Sequence, residues 1–239
     1  MTQRELFSPH FSPWPREFIY QNWTNAVTRL WPHLATSAIV SLSTSILTLL
    51  ITAPAAYAIV WLKVRGRATL FSFMLTSQML PAIVFVIPLF ILFSRTDLVN
   101  TLPGLIFADM TFTVPFALVM LGAYLREFPY QLVEAALVDG AGQWRAFFSV
   151  VLPVTRAGMV TVAIFSFLMP WSDLIFALSL ITEEGLQPLT LELYKAVGQY
   201  GIDWSFLLPG SVLTAIPAIL FVVFASRFIV AGFTRGALH

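Results

Sequence analysis

The sequence predicts an all-α membrane protein, a polytopic bundle of about five transmembrane helices, and two observations carry this prediction. Of the 239 residues, 58% are hydrophobic and only 10% are charged, whereas a soluble domain carries about 25% charged residues. Five apolar runs are each long enough to cross the bilayer core, which takes about 20 residues of helix. A spanning segment must satisfy its own backbone polar groups, and a helix does so.

The five predicted spans divide the chain. They cover about residues 34–62, 70–93, 104–125, 158–181 and 206–230. Residues 1–32 are predicted to form an external N-terminal segment, and their acids, prolines and polar aromatics do not resemble a signal peptide. Residues 33–239 are then one transmembrane domain, with a cytoplasmic loop at about 127–155.

The basic residues predict how the chain is oriented in the cell (inner) membrane, because loops that face the cytoplasm are enriched in lysine and arginine. One set of loops carries Lys63, Arg65, Arg67, Arg126, Arg145, Arg156, Arg227 and Arg235. The opposite loops mix basic residues with acids such as Asp97, Glu183 and Glu192. We therefore expect the C-terminus in the cytoplasm and, with five spans, the N-terminus outside.

Prolines recur inside the predicted spans, at Pro54, Pro81, Pro88, Pro115, Pro170 and Pro217. Each removes a backbone hydrogen bond and bends its helix, and bent helices can line a cavity. Proline is also simply more frequent in membrane helices than in soluble ones. Both interpretations remain open at any single position.

Several chemical functions are excluded or disfavoured by composition. The chain has no cysteine, and His10, His33 and His239 lack metal-ligand spacing. A formal charge of +1 without a basic patch argues against nucleic acid as a partner. Neither Lys63 nor Lys195 follows a glycine, so the chain has no P-loop for ATP. We expect no cofactor and no catalytic residue in this chain.

The loop between the third and fourth spans reads EAALVDGAGQWRAFFSVVLP from Glu134 to Pro153. Pro129 suits the first turn of a helix and Gly140 suits the position after its end, which predicts a short helix over about 129–138. A second short amphipathic helix is predicted to follow. Its stripe of Trp144, Phe147, Phe148 and Val151 has helical spacing and favours packing or interface anchoring over a ligand site.

This loop carries a family resemblance. Glu134, Ala135, Ala136, Gly140, Leu152 and Pro153 match the EAA loop by which membrane subunits of binding-protein-dependent ABC importers engage their ATPases. Weaker matches are PAAYAIVWLKVRGR (54–67), QMLPAIVFVIPLF (78–90), WSDLIFALSLIT (171–182) and the tail GFTRGALH (232–239). From about Asn25 onward the chain resembles the second permease subunit of carbohydrate-type importers, the maltose and trehalose permease group.

The resemblance implies the fold of an ABC type I importer permease and a set of partners. These are a second permease subunit, two ATP-binding subunits that hold ATP and Mg²⁺, an extracytoplasmic solute-binding protein and the surrounding lipid. The residues implied in ATPase coupling are Glu134, Ala135, Ala136, Asp139, Gly140, Leu152 and Pro153, with a tail contact at Thr234, Arg235 and Gly236. Relatives typically have six spans, and this chain begins at what would be the external segment after the first.

Polar side chains within the spans are candidates for the solute pathway, because such groups are costly in a bilayer and usually serve a pathway or a partner. They are Gln78 and the neighbouring pair Trp171 and Asp173, an aromatic and a carboxylate that suit a sugar. For that pair, an interfacial aromatic beside a solvated acid is an equal alternative. The external loop from Glu183 to Trp204 is a candidate contact for the binding protein or a solvated connection.

The sequence leaves alternative functions open. The solute of the importer is expected to be a sugar or oligosaccharide, although a related importer for a polyamine, phosphate or another non-sugar solute would share the loop. A different class is an ion-coupled secondary transporter that uses Asp109 or Asp173 to carry a cation. The loop from Glu134 to Gly140 could also be an amphipathic connector lying at the membrane surface.

Overall fold

The computed structural model describes residues 19–62, 64–198 and 201–236, with side chains up to Ala225 in the last range. The fold is a helical bundle, as predicted. Its elements are α1 (Tyr20–Val60), α2 (Arg67–Ser77), α3 (Ile83–Arg95), α4 (Leu102–Glu127), α5 (Gln131–Val138), α6 (Gln143–Val154), α7 (Arg156–Ser172), α8 (Ile175–Leu180), α9 (Leu189–Lys195), the two-residue strands β1 (Val197–Gly198) and β2 (Gly201–Ile202), and α10 (Trp204–Gly236).

Helix α1 is the centre of the bundle, and it packs against α4, α7 and α10. Its buried face is lined by small hydroxyl residues: Ser37, Ser41, Thr44, Ser45, Thr48 and Thr52. The Thr48 hydroxyl lies 2.8 Å from that of Thr113 on α4, and Ser45 donates to the Ala163 carbonyl on α7 at 3.0 Å. Small residues let membrane helices approach closely, and their hydroxyls hydrogen-bond across the interface.

Three predicted spans correspond to continuous helices. Helix α4 covers the predicted span 104–125, and α10 covers 206–230. Helix α1 covers all but the last two residues of the predicted span 34–62, and it begins earlier, at Tyr20, so part of the segment expected to precede the bundle is helical. Hydropathy marks where a helix can enter a bilayer; it does not mark where the helix ends.

The other two predicted spans are interrupted. The span predicted at 70–93 is two helices, α2 and α3, that meet at a break over residues 78–82, where Pro81 disfavours helical geometry in the residue before it. The span predicted at 158–181 ends as α7 just after Pro170, and the short α8 follows. Pro54, Pro115 and Pro217 instead remain inside their helices.

By length and composition, fewer spans than the five predicted are continuous among the described residues. Three helices could cross a membrane, Tyr20–Val60, Leu102–Glu127 and Trp204–Ala225, or up to four if α6 and α7, a pair bent at 77°, form one span. Helix α3 is a shorter apolar helix. The molecule therefore has a loop end, where α1 and α4 finish, α2 and α7 begin and α5 and α6 lie, and an opposite far end.

The far end is held by short elements. The Asn100 side chain accepts from the backbone N–H groups of Thr182 and Glu183 at 2.9 and 2.8 Å, which fixes the α3–α4 connection to the end of α8. Leu189 at the start of α9 donates its backbone N–H to the Ser37 hydroxyl at 2.8 Å. Strands β1 and β2 pair antiparallel after α9.

Candidate ATPase-coupling surface and solute path

Helix α5 ends in a backbone motif that only glycine accommodates easily. Gly140 has φ +84°, its N–H donates to the Leu137 carbonyl at 3.0 Å, and the N–H of Ala141 donates to the Ala136 carbonyl at 2.9 Å. This is the Schellman arrangement, which satisfies the last carbonyls of a helix by turning the chain into the left-handed region. The helix predicted over 129–138 is thus present, with Gly140 just past its end.

One face of the loop is anchored in the bundle. Val133, Ala146, Phe147 and Val151 are at most 3% exposed and belong to a core cluster with Ala53, Tyr57, Trp61, Leu121 and Leu125. Full burial of a residue such as Val or Phe contributes about 1.5–3 kcal/mol. The loop is therefore part of the folded body, which favours a rigid transmitter over an amphipathic connector at the membrane surface.

Two polar contacts add to this anchoring. The Tyr57 hydroxyl near the end of α1 donates to Oε1 of Gln143 at 2.6 Å. Next to it the Trp61 indole donates to the Leu125 carbonyl at 3.1 Å, and its ring meets Tyr130 edge-on with centroids 5.9 Å apart. Sequence reasoning missed Tyr57 and Gln143, and only the position of Tyr57 within the segment 54–67 that resembles the family could have indicated it.

The opposite face of α5 is open. Gln131, Glu134, Ala135 and Val138 follow the i, i+3, i+4, i+7 spacing of one helix face, and all four are exposed. Val138 is 87% exposed. Ala136 and Leu137 are half-buried against the core cluster, while Asp139 and Gly140 at the end of the helix are exposed.

Helix α6 extends this open surface. Its residues Phe147–Val151 form a single π-helical turn, a local widening that is often found at functional sites. The predicted aromatic stripe divides across the helix, because Phe147 and Val151 are buried whereas Trp144 and Phe148 are 68% and 61% exposed. We call the exposed set Gln131, Glu134, Ala135, Val138, Trp144 and Phe148 the loop surface.

The remaining residues of the predicted coupling set lie nearby. Leu152 is half-buried against the core cluster and Pro153 is exposed in the last turn of α6. The chain then turns through 77° into α7. Of the predicted tail contact, the backbone at Thr234, Arg235 and Gly236 belongs to α10, and the positions of these side chains lie outside the described part of the structure.

The candidate solute-path residues have separate environments. Gln78 lies at the α2–α3 break, where its amide donates to the Phe112 carbonyl at 3.2 Å. Trp171 is 5% exposed, stacks on Phe167 with centroids 5.3 Å apart and donates to the Thr214 carbonyl. The proposed sugar-binding pair of Trp171 and Asp173 is thus not displayed together on an open surface.

The Asp173 carboxylate is engaged in capping helix α8. Its oxygens accept from the backbone N–H groups of Ile175, Phe176 and Ala177 at 3.0–3.4 Å. The first N–H groups of any helix lack partners within the helix, and a carboxylate supplies them. This is a structural role that the sequence pattern WSD already permits, and a contact between Asp173 and the solute stays a prediction.

An ion-pair cluster around the buried Glu192 forms part of the wall of a cavity of about 390 Å³ at the far end, which both Glu192 and Arg29 line. Glu192 on α9 bonds to Arg29 of α1 at 2.6 Å and to Lys195 at 2.9 Å. Burial opposes ionisation of this carboxyl, but the hydrogen bonds and charges of Lys195 and Arg29 outweigh it and hold the pKa of Glu192 below its usual value. The cluster fastens the segment between α8 and α10 to α1.

A helical bundle that projects a rigid two-helix loop with an open face has the architecture of the membrane subunit of an ABC importer. The chain belongs to the family described as "Binding-protein-dependent transport system inner membrane component", whose profile matches residues 48–237. It is thus a multi-pass inner-membrane protein and a non-catalytic permease subunit, with ATP hydrolysis performed by a partner. Membership excludes the ion-coupled secondary transporter as its class.

Individual relatives agree with this assignment. The chain is 35% identical to the diacetylchitobiose uptake system permease protein NgcG of Streptomyces coelicolor, over 98% of this chain and 79% of that protein. It is 36% identical to the trehalose transport system permease protein SugB of Mycobacterium tuberculosis, over 83% and 73%. It is 30% identical to the sulfoquinovosyl glycerol transport system permease protein SmoH of Agrobacterium fabrum, over 99% and 84%.

Solved structures share the fold. A bacterial ABC transporter involved in the import of the acidic polysaccharide alginate matches with a TM-score of 0.76 at 18% identity, over 90% of this chain and 81% of that one. The MetNI methionine ABC transporter matches with a TM-score of 0.69 at 19% identity, over 90% and 99%.

Proposed function

We propose that the chain is one of two permease subunits of an importer for a sugar or an oligosaccharide, and that its loop surface docks on an ATP-binding subunit. The observation that carries the docking role is the exposure of apolar side chains on a rigid element: Val138 is 87% exposed and Trp144 68% exposed. Large apolar side chains grouped on an otherwise anchored surface mark interaction sites. A docked subunit would cover them.

The chemistry of the loop surface fits such a partner. Glu134 offers a carboxylate to a basic residue, and Ala135 beside it has only a methyl side chain, which permits close approach. Energy must reach the membrane through a contact that differs between two states of the ATPase. Because Val133 and Phe147 are buried in the same cluster as the ends of α1 and α4, a displacement of the loop surface is passed to both helices.

The orientation follows from the same assignment. The loop end carries Arg65, Arg67, Arg126, Arg145 and Arg156, and basic loops face the cytoplasm. We place the loop end, the Thr234–Gly236 tail and the ATPase in the cytoplasm. The segment from Glu183 to Trp204 then faces outside, where the solute-binding protein delivers its cargo.

Affinity purification of the tagged chain from solubilised native membranes, with mass spectrometry of the copurifying proteins, tests this proposal. We expect an ATPase and a second permease, with the ATPase lost selectively in Gly140→Asp. Gly142→Asp is the matched control, because Gly142 is in the same loop with open space around it but has negative φ. Recovery of an ATPase bound equally to both variants would contradict docking through this loop.

The sugar assignment rests on three relatives named for diacetylchitobiose, trehalose and sulfoquinovosyl glycerol transport. Gln78 is the residue we retain for the pathway, since its polar side chain lies where two apolar helices break. Reconstituted complex should accumulate a labelled oligosaccharide in an ATP-dependent manner, and Gln78→Leu should reduce uptake more than it reduces basal ATP hydrolysis. Equal loss of both activities would indicate that Gln78 is structural.

A second candidate is an importer of a non-sugar solute such as a polyamine or phosphate. The observation that favours keeping it is the shared fold of the methionine transporter, which means that the architecture serves more than one solute class. A panel of labelled sugars, polyamines and phosphate offered to the reconstituted complex separates the two. Uptake confined to a non-sugar would replace the sugar assignment and leave the docking role intact.

A further inference from the structure

A cavity of about 300 Å³ lies at the loop end between α1, α2 and α4, apart from the loop surface. It is lined by Ile59, Val60, Arg67, Ala68, Phe71 and Arg126. Two of these six side chains are cationic and none is acidic. Among the described residues, no carboxylate lies within salt-bridge distance of Arg67 or Arg126.

The position of one guanidinium is built into the fold. Arg126 lies over the ring of Phe71 at 4.6 Å from its centroid. Phe71 is itself buried, and its ring edge fills the space beside Gly122 on α4, where any added Cβ would overlap it. Stacking on a fixed aromatic ring holds the planar guanidinium in place while leaving its N–H donors free for an anion.

The surroundings of the cavity are those of a membrane boundary. Next to it along α2, Leu70, Phe73 and Leu75 are 37%, 65% and 53% exposed, a surface suited to acyl chains. The cavity thus places beside an exposed apolar helix two arginines that have no carboxylate partner among the described residues. Arginine recognises phosphate, as it does carboxylate, with paired hydrogen bonds. Basic pockets between spans at the cytoplasmic side accept anionic lipid headgroups, and the headgroups of such lipids carry phosphate.

We propose that the cavity between Arg67 and Arg126 binds the phosphate headgroup of an anionic phospholipid whose acyl chains lie along α2. A soluble anion would use the arginines but not the apolar wall formed by Ile59, Val60 and Phe71. Because the loop end is proposed to face the cytoplasm, the bound lipid belongs to the cytoplasmic leaflet. The site itself depends neither on that orientation nor on the transported solute.

The test is native mass spectrometry of the complex that contains the full-length chain, titrated in detergent with phosphatidylglycerol or phosphatidylcholine. We expect preferential retention of phosphatidylglycerol, and a loss of apparent affinity of about tenfold or more in the double variant Arg67→Gln, Arg126→Gln. Arg65→Gln is the matched control, since Arg65 is a basic residue of the same connection that does not line the cavity. Its affinity should fall by clearly less than that of the double variant, by no more than the roughly fivefold that one basic residue near an anionic surface contributes.

A second variant distinguishes loss of lipid binding from misfolding of the double variant. Ala68→Phe keeps both arginines and fills the cavity, so it too should lose phosphatidylglycerol retention while its unfolding temperature stays near that of the unmodified protein. Unchanged retention in both variants would overturn the proposal. Displacement of the lipid by inorganic phosphate without any acyl-chain dependence would assign the site to a soluble anion instead.

A polypeptide occupant is distinguished in the same preparation. A photo-crosslinker at position 68 should label lipid. A crosslink to an ATPase or to a second permease would overturn the lipid assignment and identify the cavity as a subunit contact. Neither result bears on whether Gly140→Asp releases the ATPase, so failure of this proposal is separate from failure of the coupling role.

Discussion

The hydroxyl of Tyr57 donates a 2.6 Å hydrogen bond to the side-chain oxygen of Gln143 and thereby joins the central helix α1 to the first turn of α6. The Tyr57 ring also packs on Phe147, with centroids 5.5 Å apart. One residue of the bundle thus contacts both the polar and the apolar side of the loop anchor. If α6 moves relative to α1, these two contacts must break, whereas they persist if the two helices move together.

Removal of the Tyr57 hydroxyl should weaken the transmission between loop and bundle. We expect Tyr57→Phe to lower stability by about 1 kcal/mol, the net value of one hydrogen bond, and to lower solute uptake per ATP hydrolysed in the reconstituted complex. Tyr124→Phe is the control, since the Tyr124 hydroxyl makes only a 3.4 Å contact with Thr161. Equal coupling ratios in the two variants would contradict a transmitting role for Tyr57.

Gly140 should be intolerant of any side chain because of its backbone and not because of crowding. Its φ is +84° and a Cβ would meet no atom within 4 Å. Gly140→Ala should therefore destabilise the loop by about 1–2 kcal/mol, the cost of the left-handed conformation for a residue with a Cβ. Gly142→Ala, also in open space but at φ −73°, should be nearly neutral. Limited proteolysis of the loop compares them.

Asp173 provides a way to separate capping from solute contact. If its carboxylate serves α8 alone, Asp173→Asn should be mild because asparagine also caps, whereas Asp173→Ala should cost about 1 kcal/mol of stability. Thermal unfolding of the purified complex measures this. A KM for uptake that rises in Asp173→Asn with unchanged stability would show that the carboxylate contacts solute.

The cluster around Glu192 predicts a pH dependence at the far end. The pKa of Glu192 is lowered in the folded protein because the pairing with Lys195 and Arg29 outweighs burial. Its contribution to stability is therefore complete above the ordinary glutamate pKa of about 4.3 and is lost as the pH falls through the lower folded value. Hydrogen exchange in α9 as a function of pH reports this loss.

The matched variants for that measurement are Glu192→Gln and Glu184→Gln. Glu192→Gln should remove the acid-dependent loss and raise exchange in α9 at neutral pH, because Arg29 and Lys195 then lack their carboxylate. Glu184 is 84% exposed and lies 3.5 Å from Lys195, so its replacement should change little, as for most surface ion pairs. An unaltered pH profile in Glu192→Gln would show that another group controls the far end.

Sequence patterns predicted the features that depend on local chemistry. The helical bundle follows from apolar runs, and the short helix ending before Gly140 follows from Pro129 and the glycine itself. Patterns are less informative where a contact depends on how a neighbouring segment folds. The capping role of Asp173 is local, with N–H donors at Phe176 and Ala177, but it is recognised only once the start of α8 is known.

The boundaries of α1 and the break at residues 78–82 were missed for a related reason. Hydropathy indicates where a segment can enter the membrane but not where its helix begins. Pro32, in the segment predicted to be external, lies inside α1. The anchor formed by Tyr57 and Gln143 joins residues 86 positions apart in sequence. No spacing rule within one segment can indicate such a pair.

The hydroxyl residues along α1 determine how easily this helix can slide past its neighbours. Thr36 and Thr52 donate to carbonyls one turn back in their own helix, and such bonds persist when a neighbouring helix slides. The hydroxyls of Ser37, Ser45 and Thr48 instead bond to α9, α7 and α4, and they would need to exchange partners. Sliding of α1 would therefore break several bonds between elements at once, which favours a few fixed helix positions over a continuous range, the mechanical property that a gate between two permease arrangements needs.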